Sequence, residues 1–243
     1  MPTVGCMTSA QADPEVPTEV IRWWELGEEH LGTALGRLVD EEFDGPSLLP
    51  GWTRRYVLAH LARNADAMVN LLTWARTGVE TPAYASNEAR DAAIAQSSQQ
   101  SPDALRNDVI GAVARLAETV REMPPRAWAG EVRARQGHAI SAADVIWMRC
   151  REAYVHSVDL DSGVEWSDVP EEVLAGIVDE VFRAWDRQDT VPDVVVFAGD
   201  REWGTGSLAV SGSLPDVAAW LSGRSKGEGL RADGELPTLP AWL

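Results

Sequence analysis

Cysteine is scarce in this chain: its 243 residues hold two, Cys6 and Cys150, too few for a disulfide framework. Apolar runs fall short of the roughly 18 residues needed to span a membrane. The amino terminus, MPTVGCMTSAQADPEVP, has neither the basic nor the apolar region of a secretory signal, so a cytoplasmic protein is expected. Positive charge is also in short supply, with 21 Lys and Arg against 38 Asp and Glu and a formal net charge of −17. Nucleic acid and anionic membrane surfaces are thereby excluded as partners, because binding either rests on clustered Lys and Arg. An anionic small molecule would have to be held by a few locally placed arginines. There is no low-complexity tract and no internal repeat with a period of about 20–50 residues.

What is present is a globular composition, 45% hydrophobic and 24% charged, on a chain long enough for two cores. From Pro17 to Asp40 the residues Ile21, Trp24, Leu31, Leu35 and Leu38 recur at helical spacing. A second, long helix is expected between an N-cap at Thr53 and a C-cap at Gly78, its buried stripe running through Val57, Leu61, Met68 and Leu72 with His60 and Asn64 at the border. A short helix follows Ser86. A long one opens at Ser101 and Pro102, with Leu105, Val109, Ala112, Leu116, Val120 and Met123 as its core stripe. PPRAWAGEVRARQGHAI reads as loop with an extended piece, after which Ser141 and Asp144 resemble a capping box. The helix behind them carries WMRCREAYVHSVDL, ending near Leu160. Four substantial helices predict an antiparallel bundle, a core in which metal sites are commonly assembled from facing helices.

The pattern changes at the linker DSGVEWSDVP. One helix from Pro170 to about Gln188, the apolar pieces VVVFAG and SLAVSGS, a helix over LPDVAAWLSGR and the tail ELPTLPAWL suggest a small α+β unit. The expected organisation is a flexible segment 1–12, a bundle over 13–162 and an α+β domain over 163–243. The fold class is therefore α+β. Oligomeric state is not legible, and a monomer is the default.

Glu152 and His156 stand four apart on one helix, so their side chains share a face, with Val145, Met148, Val155 and Asp159 on the same side. A carboxylate on such a face needs a hydrogen bond, an opposite charge or a metal. His60 borders the stripe of another helix. Two imidazoles and a carboxylate form the three-ligand set of a catalytic zinc, which leaves a fourth position for water or substrate. A Glu/His pair at this spacing is, however, more commonly just hydrogen-bonded or solvated, and the spacing is not that of H-E-x-x-H. Arg90 by itself reads as a solvated helix charge, and Arg224, in GRSKGEG, as a loop residue without the context of a phosphate-binding loop. Cys150 lies about 200° around its helix from Glu152 and is read as a core residue facing away from the site.

GWTRRYVLAHLARNADAMVNLLTWARTGVETP, SNEAR, WMRCREAYVHSVDL and VSGSLPDVAAWLSGR resemble the mycothiol-dependent maleylpyruvate isomerase family, and the similarity runs from about residue 17 to the C-terminus. The resemblance implies a DinB-like four-helix bundle followed by a sterol-carrier-like α+β domain. It implies His60, Glu152 and His156 as zinc ligands and matches Arg90 and Arg224 to the family's active-site arginines, with Arg224 also placed to meet the thiol. The cofactors it implies are zinc and mycothiol. The activity implied is cis–trans isomerisation of maleylpyruvate to fumarylpyruvate; the alternatives are a zinc-dependent mycothiol S-transferase acting on another electrophile, as in related enzymes with the same three ligands, and a non-catalytic thiol- or metal-binding module.

Overall fold

Side-chain caps set most of the helix ends in the computed structural model, which describes residues 15–242. The expected flexible segment 1–12 and Cys6 lie outside the described residues. Helix α1 spans Thr18–Arg37 and stops short of the expected Asp40. Leu38 turns extended (φ −75°, ψ 128°), and its freed carbonyl accepts from Arg106 Nη2 at 2.6 Å. Asp40 instead opens a short 3₁₀ turn. Helix α2, Arg54–Thr77, starts behind Thr53, whose hydroxyl accepts from the Tyr56 N–H at 3.4 Å, and ends at Gly78 with φ 72°, the left-handed conformation that glycine adopts without cost. Helices α3 (Asn87–Ser97) and α4 (Pro102–Arg121) are capped by Ser86 and Ser101. Helix α5, Ala142–Asp159, has the reciprocal box: Ser141 Oγ accepts from the Asp144 N–H at 3.2 Å and Asp144 returns a carboxylate to the Ser141 N–H at 2.8 Å.

The apolar stripes meet as their spacing requires. Helix α1 packs along α5, and α2 lies against both α4 and α5, burying Leu31, Leu61, Leu72, Leu105, Leu116 and Ile146 almost completely. Each such side chain contributes roughly 1.5–3 kcal/mol relative to staying in water. Met123, expected at the end of the α4 stripe, is buried just beyond that helix. Residues on nearly every side of helix α5 are buried, Arg149 and Arg151 included. The extended piece before it is a small antiparallel hairpin of β1 (Glu131–Arg133) and β2 (Ala139–Ser141).

The second side of α5 is covered by the C-terminal region. Helix α6 spans Glu171–Gln188, and β3 (Val194–Ala198), β4 (Arg201–Gly204), β5 (Leu208–Ser211) and β6 (Arg231–Ala232) form a sheet in the order β4-β3-β5-β6. The β3/β5 pair is parallel and the others are antiparallel. Helix α7 covers Leu214–Leu221, ending before the Gly223 and Arg224 included in the expected helix. Gly223 is left-handed (φ 77°) and the Arg224 N–H returns to the Ala219 carbonyl at 2.8 Å, a helix-ending motif that only glycine forms freely. Helix α6 meets α5 through the Trp147 ring, which fits over Gly176, where a Cβ would overlap it. Trp147 then donates from Nε1 to Glu180 at 2.8 Å.

Candidate active site

A cavity of about 680 Å³ opens between α2, α3, α5, the turn after α7 and the C-terminal tail. His60 and Asn64 reach it from α2, Tyr84 and Arg90 from the start of α3 and the loop before it, Met148, Glu152 and His156 from α5, and Arg224 and Trp242 from the C-terminal region. The i, i+4 relation of Glu152 and His156, together with the stripe-edge position of His60, brings three donors to one point. His60 Nε2 is 2.8 Å and His156 Nε2 is 3.3 Å from the same oxygen, Glu152 Oε2, and one donor atom of each residue lies within 4.8 Å of the others.

The surrounding bonds orient these groups. Arg151 Nη2 donates to the other carboxylate oxygen, Glu152 Oε1, at 2.9 Å. Its second arm pairs with Glu180 of α6, and its guanidinium stacks 5.4 Å from the Trp242 ring. Burial would push the Glu152 carboxyl up, but hydrogen bonds from His156 and His60, with the charges of His156 and Arg151, hold it well below the usual carboxylate range. His156 Nδ1 meets the fully buried Asp159 at 2.8 Å. Burial opposes protonation of His156, yet the bonds to Asp159 and Glu152 outweigh it and raise its pKa. His60 has no second carboxylate, and burial pushes its pKa down.

The two arginines differ in setting. Arg90 pairs with Asp91 at 2.7 Å and brings Nη2 within 3.4 Å of His60 Nδ1, with its guanidinium 5.9 Å from the Tyr84 ring. Arg224 reaches Asp159 with Nη2 at 3.2 Å and the Ser222 carbonyl with Nη1 at 2.7 Å. Asp159 thus links the C-terminal arginine to His156. Cys150 is fully buried and does not line the cavity; burial pushes its thiol far above the ordinary range.

Sequence reasoning did not single out Arg149, Arg151, Asp159 or Trp242 for any role. The signal for the two arginines was available: a helix otherwise apolar on all sides must pair any charge it carries. Arg149 does so completely, with Nε and Nη2 on Glu28 at 2.7 and 3.0 Å and Nη1 on the Leu61 carbonyl at 2.9 Å. Glu28, on α1, is too distant in sequence to have been matched to it.

A helical bundle with a three-donor cluster at its core, backed by a smaller sheet unit, defines the class of protein. Residues 11–161 match the model of the mycothiol maleylpyruvate isomerase N-terminal domain, and the chain belongs to that enzyme family. Two solved structures are similar over nearly the whole length: a mycothiol-dependent maleylpyruvate isomerase and a histidine-to-alanine mutant of it. Each is 37% identical, with 93% of this chain and 98% of the other covered at a TM-score of 0.89. Comparison with curated proteins finds no match. No helix among the described residues is long and apolar enough to cross a membrane.

Proposed function

We propose that the chain is a zinc- and mycothiol-dependent isomerase that converts maleylpyruvate to fumarylpyruvate. The observation that carries this is the convergence of His60 Nε2, His156 Nε2 and Glu152 Oε2 in one cavity with Arg90 and Arg224. The donor set fits a divalent ion. Nitrogen and oxygen donors in this ratio suit zinc with an open position; Arg151 holds Oε1, so that Oε2, the oxygen both imidazoles meet, would be the one offered to the ion, and the Asp159 carboxylate would keep a proton on His156 Nδ1 and turn Nε2 toward it. His60, Glu152 and His156 would hold the ion, whose chemistry would be to keep the mycothiol sulfur as thiolate, the form that can add to the cis double bond and leave again after rotation.

The chain's own groups do the rest. Arg90 and Arg224 offer planar forks for the substrate's two carboxylates and offset the field of a chain carrying −17, and Arg224 is the group we assign to the thiol. A guanidinium only donates, so Arg90 beside His60 Nδ1 requires that nitrogen to accept. Arg90 thus stands between that nitrogen and the open cavity, where it would pair with an anion. Cys150 supplies no competing thiolate. The cavity lies between a bundle assigned to residues 13–162 and a domain assigned to 163–243, as ligand sites commonly do.

The test is turnover of maleylpyruvate by the zinc-loaded protein with and without mycothiol, followed by the absorbance of the dienol. Isomerisation that requires mycothiol and leaves its concentration constant is expected. Stoichiometric consumption of the thiol would make the chain an S-transferase instead, and turnover without any thiol would remove mycothiol from the scheme.

A further inference from the structure

Asn64 stands one turn beyond His60 on α2, on the same face, and is 7% exposed. Its amide orientation follows from its neighbour. Arg149 Nη1 lies 3.1 Å from Asn64 Oδ1, and because a guanidinium has five donors and no acceptor, the oxygen of Asn64 must face it. Arg149 cannot swing away, since it is fully buried and held by Glu28 and the Leu61 carbonyl. The NH₂ group therefore points the other way. Nδ2 has no hydrogen-bond partner among the described residues and is not sealed from solvent, and Asn64 lines the cavity. Beside it the wall is apolar: Met68 and Leu71 follow on α2, and Met148 faces from α5.

From this geometry we infer that Asn64 is a substrate-binding residue whose Nδ2 donates a hydrogen bond to a keto or carboxylate oxygen of the bound oxo-dicarboxylate. A rigid donor on an apolar wall fits that role, because the amide is held in one orientation before the ligand arrives and a ligand oxygen can replace cavity water on Nδ2. Asn64 is neutral, so it adds no charge beside the metal donors, and its bond to Arg149 prevents the amide from flipping. Glu28, Arg149 and Asn64 thus form a buried relay from α1 through α5 that aims one N–H₂ group at the ligand. The inference rests on the isomerase reading for the identity of the ligand.

The test separates binding from turnover. The dissociation constant of maleylpyruvate for the zinc-loaded protein is measured without mycothiol, through tryptophan fluorescence, for the wild type, Asn64→Ala and Asn64→Asp. Asn64→Asp keeps an acceptor for Arg149 and removes the donor, whereas a merely structural asparagine would tolerate it better than Ala. Both variants should bind at least about tenfold more weakly, a loss of roughly 1.4 kcal/mol, with zinc content and far-UV circular dichroism unchanged. Wild-type affinity in either folded variant overturns the inference, as does a wild type that binds no maleylpyruvate. Maleylpyruvate binding weakened in both variants, without isomerisation by the wild type, would leave Asn64 in place and sink the isomerase reading alone.

Discussion

On the bundle side of the cavity the chemical groups stand on helices, His60 and Asn64 on α2, Arg90 on α3, Glu152 and His156 on α5. On the C-terminal side they stand in irregular backbone, Arg224 in the turn after α7 and Trp242 in the tail. Three of the helical groups are braced from behind by buried partners: Arg149 for Asn64, Arg151 for Glu152, Asp159 for His156. Arg224 is braced only through Asp159 and its own turn. The difference teaches a division of labour. In the proposed reading, groups that would hold a fixed coordination geometry sit on rigid elements, while a loop contributes a group that would meet the ligand from the opposite side.

Removing a donor from the rigid side should break this arrangement most severely. In Glu152→Ala the Oε2 shared by both imidazoles is gone, so most of the zinc and at least about 10³-fold of the activity should be lost. Metal analysis beside the turnover assay measures both, and full zinc retention would refute the three-donor assignment. The next largest effect concerns the brace alone. Arg149→Met removes the counter-charge of the Glu28 carboxylate and leaves it the Trp24 indole N–H at 2.8 Å, a loss of up to roughly 3–5 kcal/mol of stability, read as a lowered urea midpoint in chemical denaturation.

Those two positions also show how legible the molecule is from its sequence. Thr53, Ser86, Ser101, Ser141 and Gly78 act as the expected caps, because capping is a local hydrogen-bond rule acting over three or four residues. Glu152 and His156 could be paired for the same reason, since a helix fixes their relation. Strands β4 and β6 are short and exposed to half-buried, so no alternation marks them, and their existence depends on pairing with β3 and β5. Arg149 with Glu28 and Arg151 with Glu180 pair across 121 and 29 residues, a distance that no periodicity spans. The sequence therefore placed the donors better than the groups that hold them still.

On the C-terminal side, Arg224→Lys keeps the charge and loses the fork. We expect kcat/KM to fall about ten- to a hundredfold with zinc content unchanged. Equal loss of zinc would mean that the bond from Arg224 to Asp159 serves mainly to hold His156, and the two sides of the cavity would then be less separable than their backbones suggest.

The mildest perturbation is proton competition, and it addresses the one group tied to both sides. His156 has a pKa raised above its ordinary 6.5, burial being outweighed by its bonds to Asp159 and Glu152, whereas burial lowers that of His60. A metal must displace the proton from His156, so a raised pKa makes the competition begin above pH 6.5 and strengthen as pH falls. His60 stays neutral until lower pH, and Glu152, held well below the usual carboxylate range, does not compete until the solution is strongly acidic. Zinc binding near neutrality should therefore release about one proton, and the apparent affinity should decline by up to about tenfold per pH unit on acidification. Calorimetry between about pH 6 and 8 in buffers of different ionisation enthalpy counts that proton. Asp159→Asn removes the main partner that raises His156 and should move the decline to lower pH; an affinity flat across this window in the wild type would remove His156 from the donor set.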